Sequence, residues 1–193
     1  MEYVLLPVLA YLAGSVLFAK QVASLKGVDL TKVGSKNPGA TNVSRALGFR
    51  WGFVVFVLDA LKGAIPALFA KEYYGSESIV YALTIIASVL GHNFPVFYSF
   101  RGGKGVATAS GIAMVLSPFA SLISIIIWIL VFWKTRIVSV ASISATIVFI
   151  LVCFLIKVPT NALIASTFIG LLIIVRHYQN IKRLLKGQEH QFR

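Results

Sequence analysis

Apolar runs of bilayer length alternate with short polar islands along this chain. The alternation predicts helices at about 3–19, 51–70, 78–98, 105–116, 118–133, 137–156 and 160–175. The segment 105–133 requires a decision, because a single helix of its 29 residues would measure about 43 Å against a hydrocarbon core of about 30 Å. Ser117-Pro118 divides it, since proline starts a helix readily and breaks one from within. The 105–116 piece is then only about 18 Å long, a short or partly re-entrant element. No internal repeat is evident, and the two halves lack the matched broken helices of many transporters.

Charge selects between the counts. With seven spans, the loops 20–50, 99–104 and 134–136 and the tail from 176 lie on one side and hold 15 Lys or Arg, against Lys71 and Lys157 opposite. With six, the split is 9 against 8 and the bias vanishes. The positive-inside rule therefore favours seven spans, with the amino terminus outside and the carboxyl terminus cytoplasmic. The expected fold is an all-α polytopic integral membrane helix bundle, with residues 1–193 forming a single membrane-embedded domain.

Composition supports this and narrows the partners. The chain is 58% hydrophobic and 12% charged, which leaves little for a large water-facing domain. Its net charge of +12 must gather at the membrane margins, where it suits anionic lipid or a phosphorylated metabolite. The loops are too short for a nucleic-acid module, so no nucleic acid is expected. Cys153 is the single cysteine and sits in an apolar run, excluding intrachain disulfides and multi-cysteine zinc sites. The His and acidic residues are scattered without a ligand spacing, so neither a metal nor another cofactor is expected. The first run follows Met1-Glu2 without a basic leader and ends at Lys20, which reads as a retained span rather than a signal peptide.

Three polar islands carry the candidate chemistry, all on the basic side. The first runs from Gly34 through Ser35, Lys36, Asn37, Pro38, Gly39, Ala40, Thr41, Asn42 and Arg45 to Gly48. Gly34 and Gly39 have phosphate-loop spacing, but Ala40 stands where a Walker lysine belongs, so a nucleotide triphosphatase is not expected. Thr41-Asn42 would cap a short helix carrying Arg45 and leave N–H groups for an anion; an ordinary loop is the structural alternative. The second island runs from Gly91-His92-Asn93 through Arg101-Gly102-Gly103-Lys104-Gly105 to Gly111. It offers a cation, backbone donors and a helix start, with Ala107, Ala109 and Gly111 keeping the next helix slim. The structural alternatives are a basic margin loop and, for His92, an interfacial packing role.

The third island is Arg176-His177-Tyr178-Gln179-Asn180 continuing to Glu189. His177 and Asn180 share a helical face; histidine can move a proton near neutral pH, and asparagine can donate to an oxyanion. A basic tail lying on anionic lipid explains Lys182, Arg183 and Lys186 but not that pair. Asp59 and Lys62, three apart inside the second span, are expected to pair with each other or to face a polar cavity. Trp51, Trp128 and Trp133 stand near span ends, as interface anchors do.

The pieces GSKNPGATNVSRALG at 34–48, GHNFPVFYSFRGGKGVATASG at 91–111 and RHYQNIKRLLKGQE at 176–189 together resemble the PlsY family, bacterial membrane glycerol-3-phosphate acyltransferases that use acyl phosphate. The resemblance covers essentially the whole chain. It implies transfer of a fatty acyl group from acyl phosphate to glycerol 3-phosphate, giving 1-acyl-glycerol 3-phosphate (lysophosphatidic acid) and phosphate in phospholipid synthesis at the bacterial inner membrane. It also implies catalytic roles for Ser35, Lys104, His177 and Asn180, and substrate binding by Arg45, Asn37, Thr41, Asn42, Gly102, Gly103 and Gly105. Glu189 would be structural, and an enzyme producing acyl phosphate would be a partner. Two positions depart from the family pattern: Lys36, where glycine is more usual, and Tyr178, where a basic residue is.

The reaction suits the residues. Two phosphorylated substrates need two clusters of cations and N–H donors, and the acyl chain needs an apolar groove open to membrane lipid. Acyl phosphate already carries a good leaving group. The His and Asp five apart found in many other glycerolipid acyltransferases is absent, since Phe97 follows His92 and Lys182 follows His177 at that spacing. Either His177 takes the hydroxyl proton or a substrate phosphate does, the latter being favoured because no acid adjoins His177 in sequence. A covalent acyl adduct on Ser35 is a third route. The rival class is a small organic-anion transporter. A reporter fused after Arg193 is expected to read out in the cytoplasm; an external signal would overturn the seven-span topology.

Overall fold

The computed structural model describes residues 2–192, and every regular element among them is helical. The first apolar run forms α1 (Glu2–Gly14) and α2 (Phe18–Leu25), separated by a break at 15–17. Then follow α3 (Ala40–Leu47), α4 (Phe49–Tyr74), α5 (Ile79–Asn93), a 3₁₀ turn at Val96–Tyr98, α6 (Val106–Leu116), α7 (Pro118–Thr135), α8 (Val138–Leu155), α9 (Thr160–Arg176) and α10 (Tyr178–Leu185). Five segments among the described residues are long and apolar enough to cross a bilayer, and α9 bent by 50° into α10 provides a sixth. α6 is the shorter apolar helix that the proline boundary predicts.

Small residues set the packing. A Cβ on Gly14 would run into the Ser88 carbonyl, and one on Gly91 would meet the Tyr11 carbonyl, so α1 and α5 cross nearly backbone to backbone. The same reciprocity joins α4 to α6, where Gly63 abuts Thr108 and Gly111 abuts the Ala60 carbonyl. Close approach of this kind replaces the hydrophobic drive that lipid removes. The slim face expected on the helix after the second island is therefore used against α4. Around these crossings Tyr81, Ile85, Val89, Ile112, Ile169 and Ile173 form the core. Ile125, Ile126, Ile129 and Leu130 on α7 face outward, as lipid-facing side chains do.

Local rules explain the boundaries. Ser117 caps α7 by accepting the Ala120 N–H at 3.2 Å, and Pro118 opens that helix. Two expectations change. α3 is not capped by Thr41 or Asn42: Gly39 occupies the cap without a side-chain bond, and Thr41 and Asn42 fall in the first turn. Trp128 is more than an interface anchor, because its indole N–H donates to Ser142 Oγ at 3.2 Å and ties α7 to α8. Gly111→Leu is expected to cost at least ~1–3 kcal/mol through overpacking and to lower the thermal midpoint of the purified protein; an unchanged midpoint would refute the α4–α6 approach.

Candidate active site

All three islands meet at one end of the bundle, around a cleft of about 1610 Å³. Ser35, Asn37, Gly102, Lys104, Asn180 and Arg183 stand on its wall. Thr41, Asn42, Arg45, Gly103, Gly105, His177 and Glu189 do not line it.

The glycine loop is fixed from two sides. After α5 ends, the chain folds back over that helix end, and the Gly103 N–H donates to the His92 carbonyl at 3.1 Å. Arg176 closes the other side, with Nη2 donating to the Gly102 and Gly103 carbonyls at 2.9 Å and Nε to Gly103 at 3.1 Å. Its guanidinium also lies 5.3 Å from the Phe94 ring centre. A Cβ on Gly102 would meet the His92 carbonyl, and one on Gly103 would meet the His92 ring. These glycines are therefore required by close packing on α5, and the Gly103 N–H expected for an anion is already engaged.

Lys104 emerges from this loop and donates through Nζ to Asn180 Oδ1. Asn180 Nδ2 donates in turn to Glu189 Oε1 at 2.5 Å. Ser139 Oγ donates to the same oxygen at 3.0 Å, and Arg183 Nε to Oε2 at 2.8 Å. Burial pushes the Glu189 pKa up, but the bonds from Asn180, Arg183 and Ser139 outweigh it and hold the group below the usual carboxylate value. For Lys104, burial lowers the pKa to about 8, with Glu189 opposing and Arg183, Arg45 and Arg176 reinforcing. An anion seated beside this ammonium would raise it again.

His177 lies just past the end of α9, buried, with Nδ1 at 2.8 Å from the Ile173 carbonyl. A carbonyl can only accept, so Nδ1 carries the proton and Nε2 the lone pair. Burial first, then repulsion from Lys104, lowers its pKa to about 4, so the ring is neutral at neutral pH.

The first island is organised from within. Buried Asn42 accepts the Ser35 N–H at 2.9 Å and donates to the Val33 and Leu30 carbonyls at 3.1 and 3.4 Å. Its amide is thus spent on shaping the loop that presents Ser35. Lys36 has φ +58°, a left-handed conformation that favours glycine and accounts for the glycine usual there in the PlsY pattern. Arg45 donates to the His190 carbonyl at 3.4 Å and lies 5.7 Å from the Phe192 ring centre. Phe192 is pinned by its N–H to the Arg136 carbonyl at 2.8 Å and by an edge contact with Phe132.

Sequence reasoning assigned no site role to Arg176, Arg183 or Ser139. Arg176 left a signal as the cation beside His177, and Arg183 as a cation of the tail assigned to lipid, where it instead bonds Glu189; Ser139 left none.

The chain matches the family described as glycerol-3-phosphate acyltransferase over residues 4–187. Proteins named glycerol-3-phosphate acyltransferase from Aquifex aeolicus and Hydrogenobaculum sp. are 52% and 42% identical, over 100% and 98% of this chain and 100% and 96% of theirs. Two solved forms of PlsY (YgiH), an integral membrane glycerol 3-phosphate acyltransferase, share the fold at TM-scores of 0.98 and 0.96, with 51% and 50% identity. Both alignments cover 100% of this chain and 96% of the solved one; one is the glycerol 3-phosphate form and the other the lysophosphatidic acid form. An all-helical membrane bundle with a cationic cleft defines the class, and the chain belongs to the glycerol-3-phosphate acyltransferase family.

Binding of sulfate, whose charge is constant in this range, is expected to weaken as pH rises through about 8 and the Lys104 ammonium is lost. Lys104→Ala is expected to cost about 10–100-fold in affinity, the worth of a charge-assisted hydrogen bond. Calorimetry showing pH-independent binding would reject Lys104 as the anion contact.

Proposed function

We propose that the protein transfers a fatty acyl group from acyl phosphate to glycerol 3-phosphate, releasing lysophosphatidic acid and phosphate. The observation that carries this reading is the relay Lys104–Asn180–Glu189, whose Lys104 and Asn180 line the same cleft as Ser35. Lys104, Arg45, Arg176 and Arg183 act on one another electrostatically there, with Glu189 as the carboxylate among them. Such an excess of cations is relieved by two phosphorylated substrates.

The hydroxyl oxygen of glycerol 3-phosphate attacks the acyl carbonyl carbon, forming the new ester bond. The carbonyl-to-phosphate C–O bond breaks, and phosphate leaves with its electron pair. The hydroxyl proton passes to a phosphate oxygen, because the low pKa of His177 makes it a weak base. Lys104, presented by the glycine loop, holds the glycerol 3-phosphate phosphate, while Ser35 and Asn37, on the same cleft, contact the donor. Asn180 orients Lys104; His177, buried behind the wall and neutral, adds no further charge to it. Arg45 contributes positive potential from behind, and Thr41, Asn42 and Gly105 support the loops. The acyl chain reaches the cleft from the lipid.

The same reading gives seven crossings, with α6 as the short one, and places the cleft on the cytoplasmic face of the bacterial inner membrane. Acyl phosphate is a hydrolysable mixed anhydride, so an enzyme that forms it supplies this one. The test is purified protein with acyl phosphate and glycerol 3-phosphate, assayed for phosphate and lysophosphatidic acid. Both products are expected in equal amounts, and His177→Gln is expected to retain turnover within about tenfold of wild type, against the 10²–10⁴-fold a general base supplies. Substrate-dependent flux into liposomes without acyl transfer would return the anion-transport alternative.

A further inference from the structure

The buried ion pair of the second long span is absent from the cleft wall, yet His92 connects it to the loop that forms part of that wall. Asp59 and Lys62 are 1% and 6% exposed, with Lys62 Nζ 2.7 Å from Asp59 Oδ1. Lys62 Nζ also donates to the Val16 carbonyl at 2.6 Å, in the break between α1 and α2. His92, 3% exposed, places Nδ1 at 3.7 Å from Asp59 Oδ1, a packing contact too long for a hydrogen bond. The same residue accepts the Gly103 N–H through its carbonyl and lies against Gly103 through its ring. One cluster thus joins the α1–α2 break, α4, the end of α5 and the glycine loop.

A buried ion pair is weak support for stability, because desolvation consumes most of what the pair gains. Its fixed geometry is the better reason for its presence. We propose that Asp59, Lys62 and His92 are positioning residues that set the height and orientation of Gly102–Lys104 in the cleft. The pair orients the His92 ring, and His92 supports the loop from below while Arg176 holds it from above. The kinetic part of this proposal rests on the reading of Lys104 and its loop as the glycerol 3-phosphate contact.

The test compares wild type with Asp59→Leu/Lys62→Met, which removes both charges and leaves neither unpaired, with His92→Ala, which keeps the pair, and with the triple variant. Hydrogen exchange at the Gly103 amide reads the loop whatever the substrate. It is expected to quicken at least about tenfold in each variant while amides in the α7–α8 hairpin hold steady. In acyl transfer, KM for glycerol 3-phosphate is expected to rise about tenfold, with KM for acyl phosphate and kcat within about twofold. The triple variant should be no worse than the worse parent, as groups acting in series require.

Unchanged Gly103 exchange, equal rises in both KM values, or effects that multiply would each overturn the proposal. If the double variant yields no folded protein, His92→Ala decides alone on the same readouts. A wild type without acyl transfer would refute the proposed function, and the exchange measurement would still decide the loop support.

Discussion

Everything at the site depends on how the backbone of one irregular loop is satisfied. Between α5 and α6 the chain leaves helical geometry, and the carbonyls of buried Gly102 and Gly103 need donors. Arg176 supplies three hydrogen bonds in its planar fork, something a lysine ammonium could not do with the same rigidity. From below, the His92 carbonyl takes the Gly103 N–H. With the loop clamped, Lys104 has one direction to point, and Asn180 stands there to receive it.

Electrostatic imbalance follows from that clamp. Arg45, Arg176 and Arg183 all push against the Lys104 ammonium, and Glu189 is the carboxylate that opposes them. Three donors favour the ionised form of Glu189 despite its burial, holding its pKa below the usual carboxylate value. The arrangement keeps the ammonium partly paid in attraction yet still short of negative charge, which is the condition of an anion site before its ligand arrives.

The helices were legible because period and length leave little choice for long apolar runs. Six of the expected spans agree with the observed helices to within a few residues, and Ser117-Pro118 marked the α6–α7 boundary for a plain chemical reason. The first span was legible only in part: its apolar run continues past a break at 15–17, where Gly14 packs on α5 and the Val16 carbonyl takes a hydrogen bond from Lys62. Nothing in local hydropathy marks that break, since its cause is a partner far along the chain. The site was legible as three islands, but not as front and back. Asn42 reads as a ligand in sequence, whereas the bonds of its amide to Ser35, Leu30 and Val33 required the fold, and Ser139 in an apolar helix gives no sign of its bond to Glu189. Asp59 and Lys62 pair as their spacing suggests, whereas their neighbourhood with His92 required the tertiary arrangement.

The segment that follows α10 has a consequence for how the protein is made. Glu189 bonds to α8 and α10, His190 and Phe192 contact α3, and Phe192 is anchored at the α7–α8 turn. The hydrogen bond from Arg45 to His190 alone spans 145 positions in sequence. These contacts cannot form until the earlier helices have been inserted and packed, because closing so wide a loop brings no reward before its far end is in place. The cleft is therefore completed late in biogenesis, so a nascent chain holding all its other helices would still lack the carboxylate that orders Asn180.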